Sequence, residues 1–295
     1  MRTAEEKLTE YVSADVRKKS KISAVSVFLV AFFTLMCLVT IMPIYANFIA
    51  TFKPGKELIQ HGLNLKIQPD IMSLKQWIFL FTGNHQYWPW FWNSLGLTLV
   101  QVVCVLFVSA FVGYGFACYD FKGKNALFLC VLLTMMVPFE ILMLPLYREI
   151  IALKMVNTWR AIILPGLANA STIFFFRQFL TGIPKEIIDA GRVDGCSEYG
   201  IYFKLILPVM KPAIAAMAIL QGMGSWNNLL WPLLVFREAK KFTLPIGLNT
   251  LLTPYGNNYD LLIVGAFFSI VPLFILYAAF QRFFVEGMTT GSVKG

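Results

Sequence analysis

Charge, histidine and paired cysteine are what this 295-residue chain has least of. Asp, Glu, Lys and Arg make up only 14% of it, and there are two histidines. Neither His61 nor His85 has a second ligand at metal-binding spacing, and in one long polar segment a solvated ring is the simpler account. The five cysteines, Cys37, Cys104, Cys118, Cys130 and Cys196, contain no CxxC pair. Four of them fall in or at the ends of apolar runs, which reads as buried free thiols rather than disulfides or a metal site. GxxxxGK[ST] is missing too: Gly123-Lys124 lacks the upstream glycine and the following Ser or Thr, so no loop is built to cradle a nucleotide phosphate. Without GxSxG, HExxH or a plausible pair of catalytic carboxylates, no catalytic residue can be named. The chain is expected not to be an enzyme and to bind no cofactor or metal of its own.

What is present is apolar sequence. Hydrophobic residues make up 58%, and the mean hydropathy is +0.67. Uncharged runs recur that are long enough to cross a hydrocarbon core of ~30 Å, which takes about 20 helical residues. The expected fold class is an all-α integral membrane protein with six transmembrane helices, at about 22–50, 93–117, 125–147, 161–180, 212–236 and 260–281. Residues 1–21 form a basic leader with Arg2, Lys7, Arg17, Lys18, Lys19 and Lys21. The run from Ile22 to Phe52 is longer than the 7–15 apolar residues of a signal peptide, so it reads as an uncleaved first span. Six spans place both termini on one side. That side then carries 15 Lys and Arg against 10 in the outer loops, so it is expected to be the cytoplasmic face. The net charge of +9 is therefore read as topology and as attraction to membrane lipid headgroups, with no nucleic-acid partner. The HQYWPWFW cluster before the second span suits the headgroup level.

The longest polar interruption in the second half, Ile183–Pro212, reads as a helical hairpin. Pro184 suits a first helical turn, Lys185 to Val193 form a short helix, and Asp194-Gly195 breaks it. Ser197 caps a second helix that carries Tyr199, Phe203 and Leu207 toward the next span. Polar groups embedded in the spans are candidates for a solute pathway, because an amide in a bilayer needs a partner or water. Asn93, Gln101, Asn169, Gln221, Asn227 and Asn228 qualify, although Asn93 at a span end reads as a cap or packing residue, and Trp226 or Trp231 offers a ring for stacking on a sugar face. Interhelical hydrogen bonding, worth about 0.6 kcal/mol each, is the competing explanation. Gly96, Gly113 and Gly115 offer surfaces for close helix packing.

The hairpin resembles the EAA loop of the permease subunits of bacterial ABC importers, whose pattern is Glu-Ala-Ala, three residues, Gly, nine residues, Ile-x-Leu-Pro. Here it reads Asp189-Ala190-Gly191, three residues, Gly195, nine residues, Leu205-Ile206-Leu207-Pro208. The spacing is kept, and Asp189, Gly191 and Leu205 are conservative departures. A second stretch, Arg282-Phe283-Phe284 with Gly287-Met288-Thr289-Thr290-Gly291 and Val293-Lys294-Gly295, is similar to the tail of the maltose-type sugar permeases in the G-subunit position. Trp226-Asn227 and Trp231-Pro232-Leu233 add to that likeness.

The resemblance implies a MetI-like ABC importer permease fold spanning 22–284, with a cytoplasmic coupling loop at 181–211 and a cytoplasmic tail at 285–295. It implies that Glu186, Asp189, Ala190, Gly191, Asp194, Gly195, Leu205, Leu207 and Pro208 couple to an ATPase, and that Thr290, Gly291, Lys294 and Gly295 touch it a second time. The implied partners are a second, similar permease in a heterodimer, two ABC ATPase subunits that hold ATP and Mg, and an extracytoplasmic sugar-binding protein. The expected function is ATP-driven import of a sugar or oligosaccharide across a bacterial cell membrane. The alternatives are a permease for another solute such as glycerol phosphate, or a secondary transporter acting alone.

Overall fold

The structure, a computed structural model, describes residues 24–253 and 256–290. The basic leader and the expected ATPase contacts Gly291, Lys294 and Gly295 lie outside the described residues, and Thr290 is the last residue of the last described helix.

Helix α1 (Ala24–Ala50) carries no charge, and residues 25–45 are all exposed. Only its end docks, through Ala46, Ile49 and Ala50. Two short helices follow, α2 (Gly55–His61) and α3 (Lys75–Thr82), and then the 32-residue α4 (Tyr87–Cys118). This helix begins at Tyr87 rather than near Asn93, because the aromatic cluster is not simply an interfacial belt. Tyr87, Trp90 and Phe91 are buried with Leu80, Trp226, Leu244, Leu261 and Val264, and of the cluster's aromatic rings only Trp92 is largely exposed. The polar atoms of the rings make burial possible: Tyr87 Oη donates to Gly265 O at 2.8 Å, and the Trp88 and Trp90 indoles donate to Leu80 O and Ala239 O at 3.0 Å. Asn93 is a latch and not a cap, donating to Lys240 O and Phe242 O at 2.7 and 3.1 Å.

The expected span at 125–147 is two helices, α5 (Lys124–Met135) and α6 (Phe139–Ala152), bent by 100°. Pro138 is the reason: it fixes its own φ, lacks an N–H, and disfavours helical backbone at Val137. The span expected at 161–180 is likewise interrupted. A single turn at Arg160–Ile163 and a 3₁₀ turn at Leu164–Gly166, with Pro165 inside it, precede the 12-residue α7 (Ala170–Thr181). The span expected at 212–236 divides into α9 (Lys211–Trp226) and α10 (Leu230–Val235), the hairpin helix α8 (Glu186–Val193) having come between α7 and α9. A short α11 (Leu244–Thr250) and a two-residue antiparallel pairing of Leu252–Thr253 with Gly256–Asn257 lead to α12 (Tyr259–Phe268) and α13 (Ile270–Thr290). Among the described residues, Val25–Ala50, Tyr87–Cys118 and Tyr259–Arg282 can each cross a membrane by length and composition, and the count reaches 5 if each bent pair is one span. Helix α7 is too short to do so alone.

Close packing holds α4 against α7 and α9 against α13. A Cβ on Gly113 would sit 2.8 Å from Phe176 Cβ, and one on Gly222 would sit 2.6 Å from Leu276 Cδ2. Gly96 faces Trp159 at 2.7 Å in the same way, whereas Gly115 faces nothing within 4 Å. Near the Cys118 end of α4 lies a core of Ala110, Tyr114, Phe176, Leu180, Ile188, Ile201, Tyr202, Ile206 and Met210, which joins the hairpin to the bundle.

Candidate functional site: a helical hairpin and a polar seam

The first helix of the hairpin has its acidic residues, Glu186 and Asp189, in the first turn and Arg192 in the last, the arrangement the helix dipole favours. Its end is a Schellman closure. Gly195 N donates to Arg192 O at 3.0 Å and Cys196 N to Gly191 O at 2.9 Å, with Gly195 at φ +76°. Only a glycine takes that conformation without a penalty, so the turn position expected from sequence is the one the backbone needs. Asp194 is the C-cap, its N–H donating to Ala190 O at 2.9 Å. Three residues on, Ser197 Oγ accepts from Gly200 N at 3.1 Å and starts the second helix. That helix widens at once into a π-helix, Ile201–Ile206, and returns to α geometry over Leu207–Val209 with Pro208 in its first turn. It then bends by 73° into α9.

One ion pair braces the two arms and a second lies within the first arm. Arg192 Nε meets Glu198 Oε1 at 2.8 Å, and Arg192 NH1 meets Asp189 Oδ1 at 3.3 Å. Tyr119, just past the end of α4, donates its hydroxyl to Glu198 Oε2 at 2.5 Å. The hydrogen bond from Arg192, and secondarily that from Tyr119, holds the Glu198 carboxyl below the usual glutamate range; Arg192 is raised in return. Arg192, Glu198 and Tyr119 were not legible as one site in the sequence, because Tyr119 lies 79 residues from its partner.

The hairpin has an inner and an outer face. Ile188, Gly191, Ile201 and Ile206 are buried against the bundle, with Leu205 and Leu207 half-buried beside them. A Cβ at position 191 would meet Leu205 Cδ1 at 2.7 Å and Ile201 Cγ1 at 3.1 Å. Two of the three departures from the EAA pattern, Gly191 and Leu205, are therefore in direct contact, the missing methyl of one making room for the branch of the other. On the outer face Glu186, Asp189, Ala190, Asp194 and Pro208 are exposed, together with Val193 at 87% and Tyr199 at 73%. Val193 and Tyr199 are the two most exposed large apolar side chains of the hairpin.

The embedded amides gather into a seam among α4, α7 and α9. Asn169 caps α7, its Oδ1 accepting from Thr172 N at 3.0 Å and Thr172 Oγ1 at 2.8 Å. Gln221 Nε2 reaches Thr172 Oγ1 at 2.9 Å and Asn169 Oδ1 at 3.4 Å. One turn along α9, Ser225 Oγ donates to Gln101 Oε1 at 2.9 Å. The hydroxyls of Thr172 and Ser225 complete this seam, and their signal in the sequence is only a hydroxyl in an otherwise apolar run. Trp226 and Trp231 are buried, at 4% and 2% exposure, with their indoles on Ser269 O and Ala161 O at 3.2 and 3.0 Å. Both rings are spent on the chain's own packing. Asn227 and Asn228 sit at the gap between α9 and α10, and neither side-chain amide is hydrogen-bonded among the described residues.

Comparison with known proteins agrees with this geometry. Residues 107–290, which include the hairpin and most of the seam, match the family model for the binding-protein-dependent transport system inner membrane component. The chain is 52% identical over 263 residues to an arabinooligosaccharides transport system permease protein of Halalkalibacterium halodurans, covering 89% of this chain and 94% of that one. It is 46% identical over 280 residues to the Bacillus subtilis protein of the same description, covering 95% and 100%. Its fold matches, with a TM-score of 0.75 at 18% identity, a chain in the crystal structure of a bacterial ABC transporter involved in the import of the acidic polysaccharide alginate, covering 96% of this chain and 99% of that one. A chain with this fold, this hairpin and transport permeases among its relatives belongs to the family of inner membrane components of binding-protein-dependent ABC importers.

Proposed function

We propose that this chain is the membrane-spanning subunit of an ATP-driven importer of arabino-oligosaccharides, and that its hairpin is the surface on which an ATPase subunit acts. The outward-facing Val193 and Tyr199 on a hairpin closed by Gly195 carry this reading. A rigid two-armed element held in a partner's groove moves as one body. Its motion passes inward through Ile188, Ile201 and Ile206 to Phe176, Tyr114 and Met210, and so to α4, α7 and α9. The seam of Asn169, Gln221 and Ser225 joins those same helices, so a shift among them opens or closes a polar path. Sugar hydroxyls both donate and accept, as amides do, which suits Asn227 and Asn228 at the break in the span.

In this reading the chain pairs with a second, similar permease, two ATPase subunits bind and hydrolyse ATP with Mg, and a binding protein delivers the sugar from outside. The hairpin and both termini face the cytoplasm, and the tail including Thr290, Gly291, Lys294 and Gly295 gives the ATPase a second contact. Affinity purification of the gently solubilised chain tests the assembly, followed by uptake of arabinotriose in proteoliposomes. A second permease and two ATPase copies, with uptake that needs ATP and the binding protein, are expected. Uptake by this chain alone without ATP would overturn the reading.

A further inference from the structure

At the end of the bundle opposite the hairpin lies a cavity of about 640 Å³, lined by Asp70, Ser73, Lys75, Gln76, Phe79 and Asp260 among others. Its placement follows from α4: the Cys118 end of that helix meets the hairpin through Tyr119, whereas the Tyr87 end packs with Leu80 of α3 and Leu261 of α12. The floor is fixed by hydrogen bonds. Asp260 Oδ1 accepts from Gly55 N at 2.6 Å and from Gln76 Nε2 at 3.4 Å, and Gln76 Nε2 also donates to Lys53 O at 3.1 Å. Lys53 is buried, with its ammonium on Asn64 Oδ1 and Gln68 Oε1 at 2.8 and 2.9 Å. Ser73 N closes the loop on Phe52 O at 2.7 Å. The segment between α1 and α3 is thereby shaped in advance and does not need a ligand to order it.

Asp70 and Lys75 stand on the rim, while Asp260 rises from the floor with only its Oδ1 engaged there. No ion pair among the described residues engages Asp70, Lys75 or Asp260, and Phe79 is 39% exposed. The lining offers carboxylate acceptors, an ammonium donor, a hydroxyl and one aromatic ring. A free cation would be drawn by the two carboxylates but opposed by Lys75, and a simple anion would meet the reverse. A neutral ligand rich in hydroxyls uses all of these groups at once, the aromatic ring meeting its C–H face. The size lies within the range of pockets that hold small ligands.

We infer that this cavity is a saccharide-holding site on the outer end of the permease, built by Asp70, Lys75, Phe79 and Asp260 and separate from the seam. The inference rests on the sugar-importer reading, and names where one end of an oligosaccharide rests before it enters the path. The test uses the assembled transporter in lipid nanodiscs without its binding protein, titrated with arabinotriose by calorimetry. Saturable binding is expected, weakened about tenfold in Asp70→Ala and in Phe79→Ala, each of which removes an exposed group and no part of the floor. Binding that is unchanged in both variants places the sugar elsewhere and overturns the proposal. So does a wild-type complex that imports arabinotriose with its binding protein yet shows no saturable binding without it, an outcome that leaves the importer reading intact. A wild-type complex that never imports arabinotriose removes that reading and this site together.

Discussion

At the hairpin end the charges stand in solvent: Arg192 pairs with Asp189 and with Glu198, and all three side chains stay exposed. At the opposite end Lys53 is buried, and its partners are two neutral amides. Exposed ion pairs add little to stability, because water and salt compete for both members. Their effect is geometric, fixing the angle between two arms. A buried ammonium is the reverse case, since losing it strands acceptors that water cannot reach. One end is thus braced by exposed charges and the other fixed by buried hydrogen bonds.

That contrast can be broken at either end. Gly195→Pro has the largest expected effect. Proline requires φ near −65°, against +76° here, and removes the N–H that closes the Schellman turn on Arg192 O. ATP hydrolysis by the complex should persist while arabinotriose uptake in proteoliposomes is lost; normal uptake would show that the turn does not couple. Next comes Lys53→Met, which should cost about 3 kcal/mol in a denaturant titration of the purified chain, with the loop between α1 and α3 becoming protease-sensitive. An unchanged midpoint would remove the buried ammonium from the fold's support.

Gly191→Ala should cost about 1 kcal/mol, because the new methyl must displace Leu205 Cδ1 and Ile201 Cγ1. Adding Leu205→Val should recover part of it, and strictly additive effects in the double-mutant cycle would deny the contact. Glu198→Gln is the mildest change. It should leave the unfolding midpoint unmoved and lower only the ratio of uptake to ATP hydrolysis. The Glu198 carboxyl has its pKa depressed in the folded chain, so its contribution is present above the ordinary glutamate range and lost as pH falls through the lowered value. Coupling in the wild type should therefore be flat through neutral and mildly acid pH, and a drop near pH 7 would point to another group.

The hairpin was the most legible part of the sequence because its signals are local. Gly195 and Ser197 each act on backbone within a few residues, and short-range rules of turn and cap chemistry reach that far. Apolar runs likewise indicated a helical membrane protein. The breaks were harder to read. Pro138 and Pro165 stood in plain sight, yet whether a proline kinks a helix or ends it depends on what neighbouring helices supply. The tryptophans were least legible, since an indole in an apolar run suits a sugar, a headgroup or a core equally well. Backbone carbonyls at Ser269 and Ala161, far away in sequence, decide the matter for Trp226 and Trp231.

The wide turn at Ile201–Ile206 carries a mechanical consequence. A π segment stores one residue more than an α-helix of equal length, so it is a reserve of slack between hairpin and span. Drawing it in would advance the chain by about 1.5 Å and turn whatever follows by about 100°. Pro208 and the 73° bend lie immediately downstream, where such a rotation would be taken up. Under the proposed coupling, the connection from the hairpin into α9 would act less like a rod than like a screw thread, converting a small push at the surface into a turn of about 100° in the segment that follows.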